Sequence, residues 1–319
     1  MTAIPGAAGA TGATGRRPLK VGIQLPEVER EVRWPELLDM TRAIEDEGFD
    51  SVWVGEHLLY RWPDRPARGP WEAWTLMAAI AAATSRVEIG PLVACAGFHN
   101  PALLAKQAAT IDEISGGRFT LGLGAGWNRV EFDAFGFPFD HRIDRFEEAF
   151  TIISTLLRDG AIDFDGAYFQ ARDCELLPRG PRPGGPPLLI GSKGPRMLRI
   201  ALPAANAWNV WWADTNNTPH GVPALRAIVD KAARDVGRDP ADIERTVAVL
   251  VHLPGGAGRV DGSGLAGGVR PLEGPPEVMA EELRAYAREG IGHVQLVVDP
   301  ITTDSVRALG AVLRELERG

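Results

Sequence analysis

From Leu19 onward the chain alternates short β-branched or leucine-rich runs with longer stretches whose apolar residues recur three and four positions apart. That alternation is the pattern of a parallel sheet whose strands are joined by helices. The runs fall at residues 19–25, 51–54, 87–94, 119–123, 188–190, 207–211, 246–253 and 293–298. Eight βα units in a chain of 319 residues fit a closed TIM (β/α)8 barrel better than an open doubly wound sheet, which more often has five or six strands. Ile143, Phe146, Phe150, Ile153 and Leu157 form one helical stripe, and Val306, Leu309, Val312, Leu313 and Leu316 another. Both are expected to pack against the sheet and carry no chemistry.

Two segments interrupt the alternation. Residues 163–187, dense in Pro, Gly and Arg, read as an insertion between the fourth helix and the fifth strand. Residues 254–276 are glycine-rich and follow the seventh strand. Both are expected over the C-terminal mouth of the barrel, where loops commonly cover a substrate and set its specificity. Residues 1–17, of low complexity, are expected to form a flexible tail, leaving 18–319 as the barrel.

The formal charge is −8, and no run of five like charges occurs, which argues against a general nucleic-acid or anionic-membrane binder. The longest nearly apolar run, residues 74–83, is far short of a bilayer span. Cys95 and Cys174 are too few for a disulfide framework and too distant for a CxxC pair, so a reducing cytoplasm is expected. An anionic ligand would therefore be held by a local set of N–H donors and cations.

Two glycine clusters stand at strand ends. FTLGLGAGW, residues 119–127, places Gly122, Gly124 and Gly126 where a backbone must approach something closely; Trp127 occupies the position of the third glycine of a dinucleotide fingerprint, which the segment therefore fails. The second cluster, Gly191, Ser192, Lys193 and Gly194, opens a helix after the fifth strand. It combines free backbone donors, a hydroxyl, a helix N-terminus and a cation, and suits a phosphate; an ordinary N-cap is the alternative. Glu56-His57 follows the second strand, at the end where barrels place catalytic side chains, and a neutral imidazole there can relay a proton near pH 7. The remaining histidines show no metal-ligand spacing, so no metal is expected, and there is no GxSxG elbow. Several of the nine tryptophans, including Trp62 and Trp211, fall near strand ends, where they could line a pocket for a planar ring.

Together, FDSVWVGEH (49–57), AAATSRVEIG (81–90), NPALLAKQAATIDEISGGRFTLGLGAG (100–126) and the stretch from Gly191 to Asn209 resemble the bacterial luciferase-like family of flavin and deazaflavin oxidoreductases. The resemblance implies a barrel with an insertion that binds reduced FMN or coenzyme F420 at its C-terminal end. It places the phosphate site on Gly191, Ser192, Lys193 and Gly194, and cofactor contacts on Gly124, Ala125, Gly126 and Trp127. It also implies a non-prolyl cis peptide at Leu92-Val93 behind the ring, and puts His57 at the reacting ring edge. A homodimer is expected on the same ground. Two departures bear on substrate. Trp127 stands where F420-dependent sugar-phosphate dehydrogenases carry an acid, and Phe98-His99-Asn100-Pro101 lacks an arginine common in relatives, so a neutral or apolar substrate is favoured.

Three functions follow as expectations. The first is F420-dependent hydride transfer to or from a small organic substrate, with His57 and Glu56 as the catalytic pair. The second is an FMNH2-dependent monooxygenase using O2, either one supplied by a separate flavin or F420 reductase. The third is a non-catalytic flavin-binding barrel. F420 is preferred because GAGWNRVEF followed by FGFPF most resembles F420-linked relatives.

Overall fold

The computed structural model describes residues 17–257, 260–261, 264–265 and 268–318. The expected tail lies outside the described residues except for Arg17, whose guanidinium donates to Gly48 O at 3.0 Å and Asp50 Oδ1 at 2.9 Å. Among the described residues no helix is long and apolar enough to cross a membrane.

The barrel strands are β1 (Lys20–Gln24), β2 (Ser51–Val54), β3 (Glu88–Pro91, resuming at Ala94–Cys95), β4 (Leu121–Gly124), β5 (Leu188–Gly191), β6 (Ala207–Val210), β7 (Glu244–His252) and β8 (His293–Asp299). All their pairings are parallel, in the spatial order β3-β2-β1-β8-β7-β6-β5-β4-β3. The ladder thus begins and ends on the two segments of β3, and a bridge from Ile89 to Phe119 ties the first segment to the approach of β4. A TIM barrel is the observed fold, with the eight strands where the alternation placed them.

Helices α1 (Trp34–Asp46), α2 (Ala73–Ala83), α3 (Pro101–Ser115), α4 (Arg129–Phe135), α5 (Arg142–Asp159), α6 (Pro195–Ala201), α7 (Val222–Asp235), α8 (Pro276–Arg288) and α9 (Thr303–Arg318) surround it. Local chemistry sets their ends. Asn100 caps α3 by accepting from Leu103 N with Pro101 at the first position, and Gly116 stops the helix with φ 67°. The two apolar stripes read from the sequence are buried against the sheet, apart from the half-buried Ile143, which also borders the cavity at the mouth.

The segment 163–187 is not at the C-terminal mouth. It begins inside an antiparallel hairpin, Ala161–Asp165 with Gln170–Glu175, laid against α5, whose Glu148 accepts from Ala167 N, Tyr168 N and Phe169 N. The chain then runs across the N-terminal end of the barrel. Leu176 N donates to Gly160 O, Arg182 Nε to Asp112 Oδ2 at 3.0 Å, and Leu121 N to Pro187 O. The reason is topological, since a segment between a helix and the next strand approaches the sheet from the strands' N-terminal side. The end of the second irregular stretch, from Val269 to Leu272, does lie at the mouth. His252 N donates to Leu272 O and Leu272 N to Leu250 O, and Val269 packs on the cluster containing Trp211 and Trp212.

Candidate active site

A cavity of about 610 Å³ opens at the C-terminal ends of the strands. Its base is the interruption of β3. The Leu92-Val93 peptide bond is cis, at the position expected from the resemblance, and both residues line the cavity. Val93 explains two of the singled-out glycines. A Cβ at Gly124 or Gly191 would lie 3.0 Å from a Val93 methyl, so the barrel interior is opened on two strands to admit this one side chain, whereas a Cβ at Gly122 would first meet the backbone carbonyl of Pro91 at 2.3 Å. Gly126 answers a different demand. Its φ is +75°, and a Cβ there would collide with Cys95 Sγ and the Phe132 ring.

Glu56 stabilises the β3 interruption from behind. Its Oε2 accepts from Cys95 N at 2.6 Å, while Oε1 accepts from Trp74 Nε1 at 2.6 Å and lies 2.7 Å from His99 Nε2. The carboxylate touches the cavity, but both oxygens are engaged and the residue is only 5% exposed. Burial, with the neighbouring Glu56 charge, pushes the Cys95 thiol far above the ordinary range, so the thiol stays protonated.

His57 leaves β2 and faces the cavity with a partner the sequence reading did not find. Its Nδ1 is 3.0 Å from Glu131 Oε1 and 3.2 Å from Oε2. Glu131, in the first turn of α4 and 1% exposed, also accepts from Leu58 N at 2.9 Å and Leu59 N at 3.2 Å. Helix α4 is placed for this by the Gly126 turn and by Asn128, which donates to Leu59 O at 3.1 Å. Burial opposes charge on His57, but the hydrogen bond to Glu131 and the carboxylates of Glu27, Glu131 and Glu56 outweigh it, so the imidazole pKa lies above its ordinary value. The Tyr60 ring lies 4.7 Å from His57 and the Trp127 ring 5.8 Å away, at 72° to it. Trp62, expected in the pocket, sits one ring back, stacked on Tyr60 at 5.7 Å in the hairpin Tyr60–Trp62 and Arg65–Arg68.

The facing wall carries Gly191, Ser192, Lys193, Asn209, Trp211 and Asp214. Gly194 is the N-cap of α6, a helix of seven residues, and its N–H donates to Ser192 Oγ at 3.2 Å. Lys193 Nζ pairs with Asp214, so the cation of the expected anion site is already balanced. Ala125 and Trp127 border the cavity beside Gly124 and Gly126. Sequence reading thus located the cavity's base and two of its walls. It missed Glu27, Tyr60, Glu131, Asn209 and Asp214; the only local signal for Glu131 was an acid in the first turn of a short helix after a glycine-rich strand end.

The chain is 33% identical over 183 residues to a 5,10-methylenetetrahydromethanopterin reductase of Archaeoglobus fulgidus, covering 57% of this chain and 50% of that one. It is 35% identical over 176 residues to the pyrimidine monooxygenase RutA of Cronobacter sakazakii, covering 52% and 50%. The chain thus spans about half the length of these curated relatives. Among solved structures, an F420-dependent secondary alcohol dehydrogenase in complex with an F420-acetone adduct superposes with a TM-score of 0.78 at 23% identity, covering 93% of this chain and 99% of that one, a likeness of fold. The profile of the luciferase-like monooxygenases matches residues 15–254, three quarters of the sequence, and the chain belongs to that family.

Proposed function

We propose that the protein is an oxidoreductase that uses coenzyme F420 for hydride transfer to or from a small, uncharged organic molecule bound at the barrel mouth. One observation carries the reading. An imidazole lines the cavity with Nδ1 held by a buried carboxylate, while its Nε2 has no partner among the described residues. Moving a hydride from a carbon that bears a hydroxyl leaves a proton to be placed, and Nε2 is the acceptor.

The residues fit a tricyclic cofactor. The cavity is of ligand size, its base at Leu92 and Val93 is apolar, and the Gly191–Ser192–Lys193 corner offers a hydroxyl and backbone donors to an acidic handle. When bound, such a cofactor supplies a ring carbon that accepts or gives the hydride. The protein's own part is to present the substrate between His57, Tyr60 and Trp127, to exclude water with those rings, and to hold the proton on His57. Among the described residues Glu56, Glu131 and Asp214 line the cavity beside one lysine, which Asp214 already pairs, and this disfavours a phosphorylated or carboxylate substrate.

The second reading, an FMNH2-dependent monooxygenase fed by a separate reductase, is favoured by the identity with RutA. Anaerobic titration of the protein with F420 and with FMN, each in both redox states, separates the two. We expect submicromolar affinity for F420 and at least tenfold weaker binding of FMN. Submicromolar FMNH2 binding with none for F420 reverses the order, and failure of both refutes both cofactor readings.

A further inference from the structure

Resting on the proposed proton-relay role of His57, we propose that Glu131, and not the chain-adjacent Glu56, is the positioning residue that fixes the His57 tautomer and leaves Nε2 as the atom that exchanges a proton with substrate.

The geometry runs one way. An ionised carboxylate can only accept, and both oxygens of Glu131 lie within 3.2 Å of Nδ1, so Nδ1 carries the proton in the neutral as well as the charged ring. The lone pair of the neutral imidazole is then at Nε2. Glu131 cannot turn away, because Leu58 N and Leu59 N donate to its Oε1. Glu56 cannot take its place, because Trp74, Cys95 and His99 engage both of its oxygens. The other groups around the ring do not compete for Nδ1. Tyr60 and Trp127 approach its faces and edges, Glu27 acts from the segment after β1 through its charge, and Lys193 and Asp214 pair with each other across the cavity.

The proton inventory closes on these atoms. During oxidation of a carbon that bears a hydroxyl, the C–H and O–H bonds break and a C=O bond forms; a bound F420 would be the acceptor of the hydride, and the hydroxyl proton forms the Nε2–H bond of His57. The Nδ1–H bond to Glu131 stays intact throughout, and the imidazolium so formed is stabilised by the carboxylate behind it. Reduction runs the same steps backward.

Long-range 1H–15N NMR of the histidine-labelled, cofactor-free full chain tests this without any substrate. The wild type should show neutral His57 as the Nδ1–H tautomer. In Glu131→Gln the side-chain oxygen can keep Leu58 N and Leu59 N while its NH2 donates to Nδ1. The neutral ring should then switch to Nε2–H and its titration midpoint should fall. Glu56→Gln should leave the tautomer unchanged, and Glu131→Asp should retain Nδ1–H. With a turned-over substrate, Glu131→Gln should lower kcat about 10²–10⁴-fold with cofactor Kd unaltered. An Nε2–H tautomer in the wild type, or an unchanged tautomer and midpoint in Glu131→Gln, overturns the proposal. Should Glu131→Gln fail to fold, the wild-type tautomer decides alone. Failure to bind F420 would refute the cofactor assignment and leave this result standing.

Discussion

Two histidines, one half-buried at the mouth and one fully buried, occupy the same barrel in opposite electrostatic settings. His57, at the mouth, is surrounded by Glu27, Glu56 and Glu131, which raise its pKa despite burial. His293, at the start of β8 in the barrel interior, meets Ser51 Oγ at 2.8 Å and the Trp53 ring edge to face at 5.7 Å, with no carboxylate bonded to it among the described residues. Burial, followed by the charge of Lys20, pushes His293 down to about 3, so it is neutral at any ordinary pH. One ring can change charge and the other cannot. Burial alone therefore marks neither as functional; a bank of carboxylates beside a ring that opens onto a cavity does.

The strongest way to break this contrast is to delete each ring. His57→Ala should lower turnover about 10²–10⁴-fold while unfolding free energy moves by less than about 1 kcal/mol. His293→Ala should instead cost about 2–4 kcal/mol of stability by leaving a void and removing the second hydrogen-bond partner of Ser51, whose Oγ keeps only Trp53 Nε1. Urea unfolding and steady-state kinetics on both variants check it; a His293→Ala enzyme as stable as wild type would dissolve the distinction.

Acid unfolding sharpens it further. The unfolded chain takes up the His293 proton below the ordinary value of 6.5 and the folded chain does not until about 3. Stability is therefore lost as pH falls through that window, by about 1.4 kcal/mol per unit from this group. His57 has the opposite sign: its raised folded pKa favours the folded state below the ordinary value, an effect that fades as pH rises through the raised one. His293→Gln should flatten the acid limb of the stability curve, and parallel limbs in variant and wild type would contradict the assignment.

A smaller effect probes the turn that carries Glu131 to His57. Gly126→Ala places a methyl against Cys95 and Phe132 at positive φ and should destabilise by about 1–3 kcal/mol. Cys95→Ala should recover part of that loss in a double-mutant cycle, and strict additivity would mean the strain is backbone alone. The smallest change is expected at the facing wall. Because Asp214 already balances Lys193, Lys193→Ala should weaken cofactor binding by no more than about 1 kcal/mol, while Asp214→Asn should tighten it. Equal affinities in all three proteins would leave the corner as a plain N-cap.

The same contrast marks what the sequence could reveal. Strand alternation is a local periodicity, and all eight strands were legible from it. The break in β3 depends on Cys95 N reaching Glu56, 39 residues away, and the local pattern read as a continuous strand. Gly122 and Gly124 stood out as places of close approach, but what approaches is Pro91 O at the first and Val93 at the second, and Gly191, read as part of an anion cradle, makes room for the same Val93 side chain. Glu131 looked like any acid on a short helix, since only folding brings it to His57 across 74 positions. The placement of residues 163–187 erred for a reason open to topology, because the connection lies on the helix-to-strand side of the barrel.

The central claim is that the cavity between the β3 interruption and His57 holds the tricyclic ring. Crystals of the protein soaked with F420 or FMN test it directly. The account predicts the ring against Leu92 and Val93, with its reacting edge toward His57 Nε2 and its acidic handle at Ser192. A ring bound elsewhere, with this cavity empty, would contradict it.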